Sequence, residues 1–131
     1  DEERWQRMTW ILSSKLSQKD LIESLRAGKS CATAHGIKLL EISPCPGFVS
    51  RRVKKAILSL HLDLGKNKLS EVGIALYRDG EAILDGSAVM KGQTDLDFTW
   101  PDDEAAPGEH WYAFVVKGYL ITSPIVLNVG G

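Results

Sequence analysis

Between residues 53 and 64 the chain alternates with a period of two. Ala56, Leu58, Leu60, Leu62 and Leu64 fall on one side, and Ile57, Ser59, His61 and Asp63 on the other. This pattern predicts a strand over 53–64 with one buried and one wet face, as in an antiparallel sheet packed on a second sheet. The same period recurs downstream. Val72, Ile74 and Leu76 supply one inward face, and Leu96, Phe98 and Trp100 alternate with Asp95, Asp97 and Thr99 until Pro101 is expected to end that strand. Residues 110–117 read as a strand with aromatic side chains on both faces, and 123–129 as a last strand opened by Pro124. Shorter extended segments are expected at 7–13, 30–33 and 37–42.

Turn chemistry divides these runs. Asp79-Gly80 is a strong two-residue hairpin signal between Tyr77-Arg78 and residues 81–84. Gly65–Lys68 and Asp85-Gly86 read as further turns. Residues 43–50, with Pro44, Pro46 and Gly47, read as a loop, and residues 101–109 as an acidic one. Only one segment has helical spacing. Ser17 is placed to cap it, Asp20 follows three positions later, Leu21, Ile22 and Leu25 form an apolar stripe, and Gly28 supplies the left-handed stop. A helix is therefore expected over 18–27. It is too short to stand alone and must dock that stripe on something. The fold class that follows is mainly β: an immunoglobulin-like antiparallel β-sandwich of about seven to eight strands with a short N-terminal helix. The boundary falls at Gly28–Lys29, giving a helical lead-in over 1–29 and a β-sandwich over 30–131.

Composition narrows the function classes. The 131 residues have room for one domain, with a formal net charge of −1 that announces neither a nucleic acid nor an anionic membrane as partner. Arg51, Arg52, Lys54 and Lys55 form the only basic cluster, and a solvated strand start explains it better than the broad basic face that nucleic-acid binding requires. No run approaches the length of a membrane-spanning helix. No signal-peptide pattern is present, and cytoplasm is the favoured compartment. The first residue, Asp1, fits an excised or processed domain. The two cysteines, Cys31 and Cys45, match no zinc or thioredoxin spacing; one disulfide and two free thiols both remain open.

Candidate chemistry is sparse. His35, His61 and His110 lack the close pairing of a metal motif. His61 and Asp63 share a strand face, and a surface metal site would need Asp97 or His110 brought alongside; a solvent-facing strand side is the simpler account. His35, beside Gly36, is expected in a turn. Gly28-Lys29-Ser30 ends a helix where a phosphate-binding loop would open one, and there is no nucleophile elbow. Asp102, Asp103 and Glu104 sit in a turn-rich loop where solvation keeps carboxylates ionised and unspecialised. Trp100 and Trp111 flank that loop and form a candidate binding face.

Several short segments, in order, resemble one family. Thr9-Trp10-Ile11-Leu12, followed by Leu16-Ser17-Gln18-Lys19-Asp20-Leu21-Ile22-Glu23-Ser24-Leu25-Arg26-Ala27-Gly28-Lys29-Ser30, resembles the end of a PHP (polymerase and histidinol phosphatase-like) domain of the CehA/McbA-like branch. There a "TWV-L" segment precedes a helix of the form "lt-eeLleALraGr-yvT", and a β-sandwich tail follows. Leu76-Tyr77-Arg78-Asp79-Gly80 resembles that tail's "lvrdG" hairpin, Trp111–Val116 its "wYrveV" strand, and Ile121–Val126 its closing "aiTNPIyv" strand, with Ser123 in place of a common Asn. The resemblance implies a C-terminal, noncatalytic domain of a metal-dependent phosphoesterase. Its partner would be the upstream PHP catalytic domain of the same polypeptide, or a second copy, and its interface would use Leu21, Ile22 and Leu25. The divalent metals and their His, Asp and Glu ligands would belong to the parent's catalytic domain, so no catalytic residue, metal ligand or cofactor is assigned here. The rival reading is an independent carbohydrate- or protein-binding module that uses Trp100 and Trp111. An autonomous hydrolase would require a constellation that these residues do not assemble.

Overall fold

The computed structural model describes residues 8–11, 28 and 30–130, and within them the chain forms eleven strands. They are β1 (Met8–Ile11), β2 (Ser30–Thr33), β3 (Lys38–Ser43), β4 (Gly47–Val53), β5 (Ala56–Asp63), β6 (Glu71–Arg78), β7 (Glu81–Val89), β8 (Asp95–Asp102), β9 (Gly108–Val116), β10 (Leu120–Thr122) and β11 (Ile125–Val129). Two sheets result. The smaller has the order β3-β5-β8. In the larger, β9 is the hub: β6 and then β7 lie along one edge, and β10 and β11 follow one another along the opposite edge. Beyond β10 comes β2 and then β1, while β4 runs parallel to β11. The helix expected over 18–27, with Leu21, Ile22 and Leu25, lies outside the described residues. Among the described residues no helix is long and apolar enough to cross a membrane.

One core fills the space between the sheets. Leu58, Leu60, Leu62 and Leu64 enter it from β5 and its end, Leu96 from β8, and Ile74, Leu76, Tyr112, Phe114, Val116, Ile125 and Leu127 from the larger sheet. The β5 alternation holds residue by residue: Ala56, Leu58, Leu60 and Leu62 are buried, and their neighbours face outward. Phe114 meets Phe98 edge-to-face across the two sheets, with ring centroids 6.2 Å apart. The Asp79-Gly80 hairpin forms as expected. Both residues have positive φ, 53° and 88°, the geometry of a tight turn that matches strand twist.

Four expectations give way to tertiary pairing. First, residues 47–53 are strand β4, where a loop was expected through residue 50. Its exposure follows no period of two, so no amphipathic signal marks it, and the Gly47 N–H donating to the Pro124 carbonyl at 3.0 Å starts its run beside β11. Second, Asp85-Gly86 lies inside β7, opposite Ala75 and Ile74 of β6, and makes no turn. Asp85 instead pairs with Lys117 Nζ at 2.6 Å. Third, β8 continues through Pro101, which pairs with Ile57. Because β8 is an edge strand of its sheet, the missing N–H interrupts no ladder. Fourth, eleven strands stand among the described residues where seven to eight were expected: β4 was read largely as loop, and β10 adds a short strand ahead of the closing strand expected over 123–129.

Candidate functional site

The polar groups gather at three places, and at each the ladder register decides which side chains meet. The first is the end of the sandwich where β6, β8 and β9 converge. Asp102 is the last residue of β8 and continues the inward alternation of Leu96, Phe98 and Trp100, so its carboxylate turns into the protein. Its side chain is 4% exposed. Arg78, at the end of β6, donates from Nη1 to both carboxylate oxygens at 2.9 and 2.7 Å, and the Tyr112 hydroxyl of β9 donates to Oδ2 at 2.7 Å. Burial alone would raise the Asp102 carboxyl, but the Arg78 and Tyr112 hydrogen bonds outweigh it and hold the group below its ordinary value. The same burial, reinforced by Asp102, pushes the Tyr112 phenol well up. Arg78, Asp102 and Tyr112 thus clamp the smaller sheet to the larger.

A second clamp adjoins it. His110 Nδ1 lies 2.6 Å from Asp79 Oδ2 in the hairpin turn, and Nε2 lies 2.6 Å from the Ala106 carbonyl in the β8–β9 loop. Both partners are acceptors, so both ring nitrogens donate only when the imidazole is protonated. The Asp79 bond and then the Ala106 carbonyl raise His110 above its ordinary value, against burial and the Arg78 charge. Asp79 also accepts from the Trp111 N–H at 3.0 Å. Burial pushes its carboxyl up, and the His110 and Trp111 bonds with the His110 and Arg78 charges bring it below the usual range.

The third place is the outer face of the smaller sheet. Glu41, His61 and Asp97 stand in one cross-strand row, with Ser59 and Thr99 beside them, around a hollow of about 180 Å³. His61 Nε2 pairs with Asp95 Oδ1 at 2.6 Å, a contact that raises the imidazole's pKa. Asp97 therefore does come alongside His61, as a surface metal site would need. His110 does not; it is held on β9, and Asp63 turns back to accept from the Gly65 N–H at 2.8 Å. Among the described residues no group of three or more His, Cys, Asp or Glu could hold a metal ion. His35 sits in a turn at φ 61°, its ring edge-on to Tyr119.

The remaining candidates separate. Trp100 points toward the core beside Phe98, the rings 6.5 Å apart and nearly parallel, and lines a shallow cleft with Ile83 and residues 101–104. Trp111 faces outward from the larger sheet at 41% exposure. The two tryptophans therefore serve different faces. Of the loop carboxylates, Asp103 pairs with Lys55 and the Glu104 N–H donates to Asp102. Only Asp103 and Glu104 fit the expected hydrated loop. Asp102 departs from it, and the i+2 continuation of the inward pattern past Pro101 was the signal that could have found it. Arg52, Val53, Lys54, Asn128 and Gly130 line an open cleft of about 480 Å³ at the β4 rim.

The outer face of the larger sheet is apolar and partly open: Ala75 is buried, Tyr77, Ala113, Val115 and Val126 are half-buried, and Trp111 and Ile121 are exposed. Val115 stands opposite Ile121 of β10 on one side and Ala75 of β6 on the other, Ala113 opposite Tyr77, and Trp111 opposite Val126. Ile121 is 59% exposed. The Lys117 stem lies over Gly73, where a Cβ would fall 2.8 Å from it, and its ammonium reaches Asp85 at the rim.

No protein-family model matches this chain, and no curated protein matches it. Among solved structures it is similar to the CARDB domain of a Pyrococcus furiosus protein, solved in complex with di-metal ions. The identity is 13% and the TM-score 0.45, over 71% of this chain and 83% of that one.

Proposed function

We propose that this chain is a noncatalytic, immunoglobulin-like accessory domain of a PHP-type metal-dependent phosphoesterase, and that it acts by packing against the catalytic domain of the same polypeptide. The observation that carries the docking role is the outward face of the larger sheet, where Trp111, Val115, Ile121, Tyr77 and Val126 stand together. A contiguous apolar sheet face of this kind is what a domain interface requires. The family resemblance assigns Leu21, Ile22 and Leu25 to the interface with that catalytic domain. The strand order supports the immunoglobulin-like assignment: β5 pairs with β3 and β8 while the intervening β6 and β7 join the other sheet, a crossing typical of such sandwiches. The noncatalytic part of the reading is supported by what the ionisable groups do, since Arg78, Asp79, Asp102 and His110 are committed to one another as clamps.

The parent's metals and hydrolytic chemistry belong, in this reading, to the catalytic domain, and this chain's part is to orient and stabilise it. The test is association in trans. The catalytic domain expressed separately should co-elute with this chain. Changing Trp111→Glu together with Ile121→Glu should abolish co-elution and leave far-ultraviolet circular dichroism unchanged. Undiminished co-elution by the double variant would contradict docking through this face. Specific binding of an oligosaccharide that is lost on Trp111→Ala would instead favour the independent binding module.

A further inference from the structure

The two cysteines converge on one spot, the break between β10 and β11. Cys31, on β2, lies opposite Thr122 at the end of β10 and is 1% exposed within the core. The next residue, Ser123, donates its backbone N–H to the Cys31 sulfur. The residue after that, Pro124, accepts from the Gly47 N–H at 3.0 Å. Gly47 follows Cys45 by two positions, in the connection that carries the chain from β3 in one sheet to β4 in the other. A single tripeptide, 122–124, therefore holds one cysteine against its first two residues and the second cysteine's segment against its third. Both thiols are free, Cys31 buried and Cys45 half-buried. Desolvation pushes the Cys31 thiol up to about 12, and Cys45 adds to that rise.

We infer that Cys31 and Cys45 are a reversible dithiol–disulfide pair, a modification site at which oxidation staples β2 of the larger sheet to the β3–β4 crossover. The chemistry is thiol–disulfide exchange with a low-molecular-weight disulfide such as oxidised glutathione. Cys45, the more accessible thiol, attacks first as its thiolate. A sulfur–sulfur bond to the reagent forms, the reagent's own bond breaks, and one glutathione thiolate leaves. The Cys31 thiol then loses its proton and attacks the Cys45 sulfur, and the second glutathione departs. The two cysteines together lose two electrons and two protons, and one external disulfide becomes two thiols. The closed loop is short, and the link constrains the unfolded chain at the place where the two sheets exchange strands.

The test is oxidation of the purified protein with oxidised glutathione, acid quenching, alkylation under unfolding conditions, and intact-mass and peptide mapping. The expected product is a monomer lighter by two hydrogen atoms, resistant to alkylation at both sites, with a Cys31–Cys45 linked peptide. Two single variants separate the roles. In Cys31→Ala the reagent should remain attached to Cys45. In Cys45→Ser, the buried Cys31 should react with glutathione about ten-fold or more slowly than Cys45 does. A lasting glutathione adduct on Cys45 of the unaltered protein, crosslinked dimers, or two thiols still open to alkylation would each overturn the inference. The mapping reads the unaltered chain directly, so a variant that failed to fold would not rescue it.

Discussion

Asp102 shows how much one side chain holds at the residue scale. Its carboxylate is buried and has two side-chain donors from two different strands, Arg78 on β6 and Tyr112 on β9, besides the Glu104 N–H. Removing the cation leaves an under-compensated buried charge, which costs more than the pair contributes when intact. Arg78→Ala should therefore lower the unfolding free energy by about 3 kcal/mol. Tyr112→Phe, which removes one hydrogen bond to a charged acceptor, should cost about 1–2 kcal/mol. Urea denaturation of both variants checks the order; an equal or reversed ranking would contradict this account of the clamp. The same end of the sandwich sets the pH dependence. Asp79 and Asp102 have native pKa values below their ordinary 3.8, so their stabilisation is complete above that value and is lost as pH falls through the lowered ones. His110 has a native pKa above its ordinary 6.5, so its contribution is complete below 6.5 and is lost as pH rises through the raised value. Urea midpoints measured across pH should decline at both ends. His110→Gln should flatten the alkaline decline, whereas His61→Gln, at an open surface pair, should change it little.

At the scale of elements, the clearest parts in the sequence were those in which one face is buried and the other wet, β5 and β8. β6 and β9 were legible from their inward apolar positions and aromatic run, and Asp79-Gly80 from its turn chemistry. The parts that were not legible are those whose conformation is imposed by a neighbour. β4 exposes Phe48 and Val49 in succession and exists because β11 offers it a parallel edge. Asp85-Gly86 has turn composition but is drawn straight by its pairing with β6, across which Lys117 reaches Asp85. The candidate site divides in the same way. The acidic loop and the two tryptophans were visible in the sequence. The Arg78–Asp102–Tyr112 clamp was not, because it joins residues 24 and 10 positions apart across three strands. Glycine substitution separates the two Asp-Gly pairs. Gly80 sits at φ 88°, so Gly80→Ala should cost about 1 kcal/mol, whereas Gly86, without positive φ and with open space for a Cβ, should accept alanine at no loss or a gain of about 0.5 kcal/mol. Thermal denaturation of the two variants measures it, and a penalty at Gly86 matching that at Gly80 would contradict the strand.

At the scale of the whole molecule, two sheets share one core, the Arg78–Asp102–Tyr112 clamp fastens them at one end, the Asp79–His110 pair ties the β6–β7 hairpin to β9 beside it, and the outer face of the larger sheet is largely apolar. That arrangement accords with the proposed docking role. Its proposed place beside a PHP catalytic domain rests on the sequence resemblance, and its proposed mode of contact rests on the sheet face. The most direct measurement is phosphatase activity with added manganese or zinc, run in parallel on this chain and on the full-length parent polypeptide. The account predicts metal-dependent turnover by the parent and none by the chain alone. Clear metal-dependent turnover by this chain would contradict it, and His35, His61, Asp63 and His110 would then be the residues to replace.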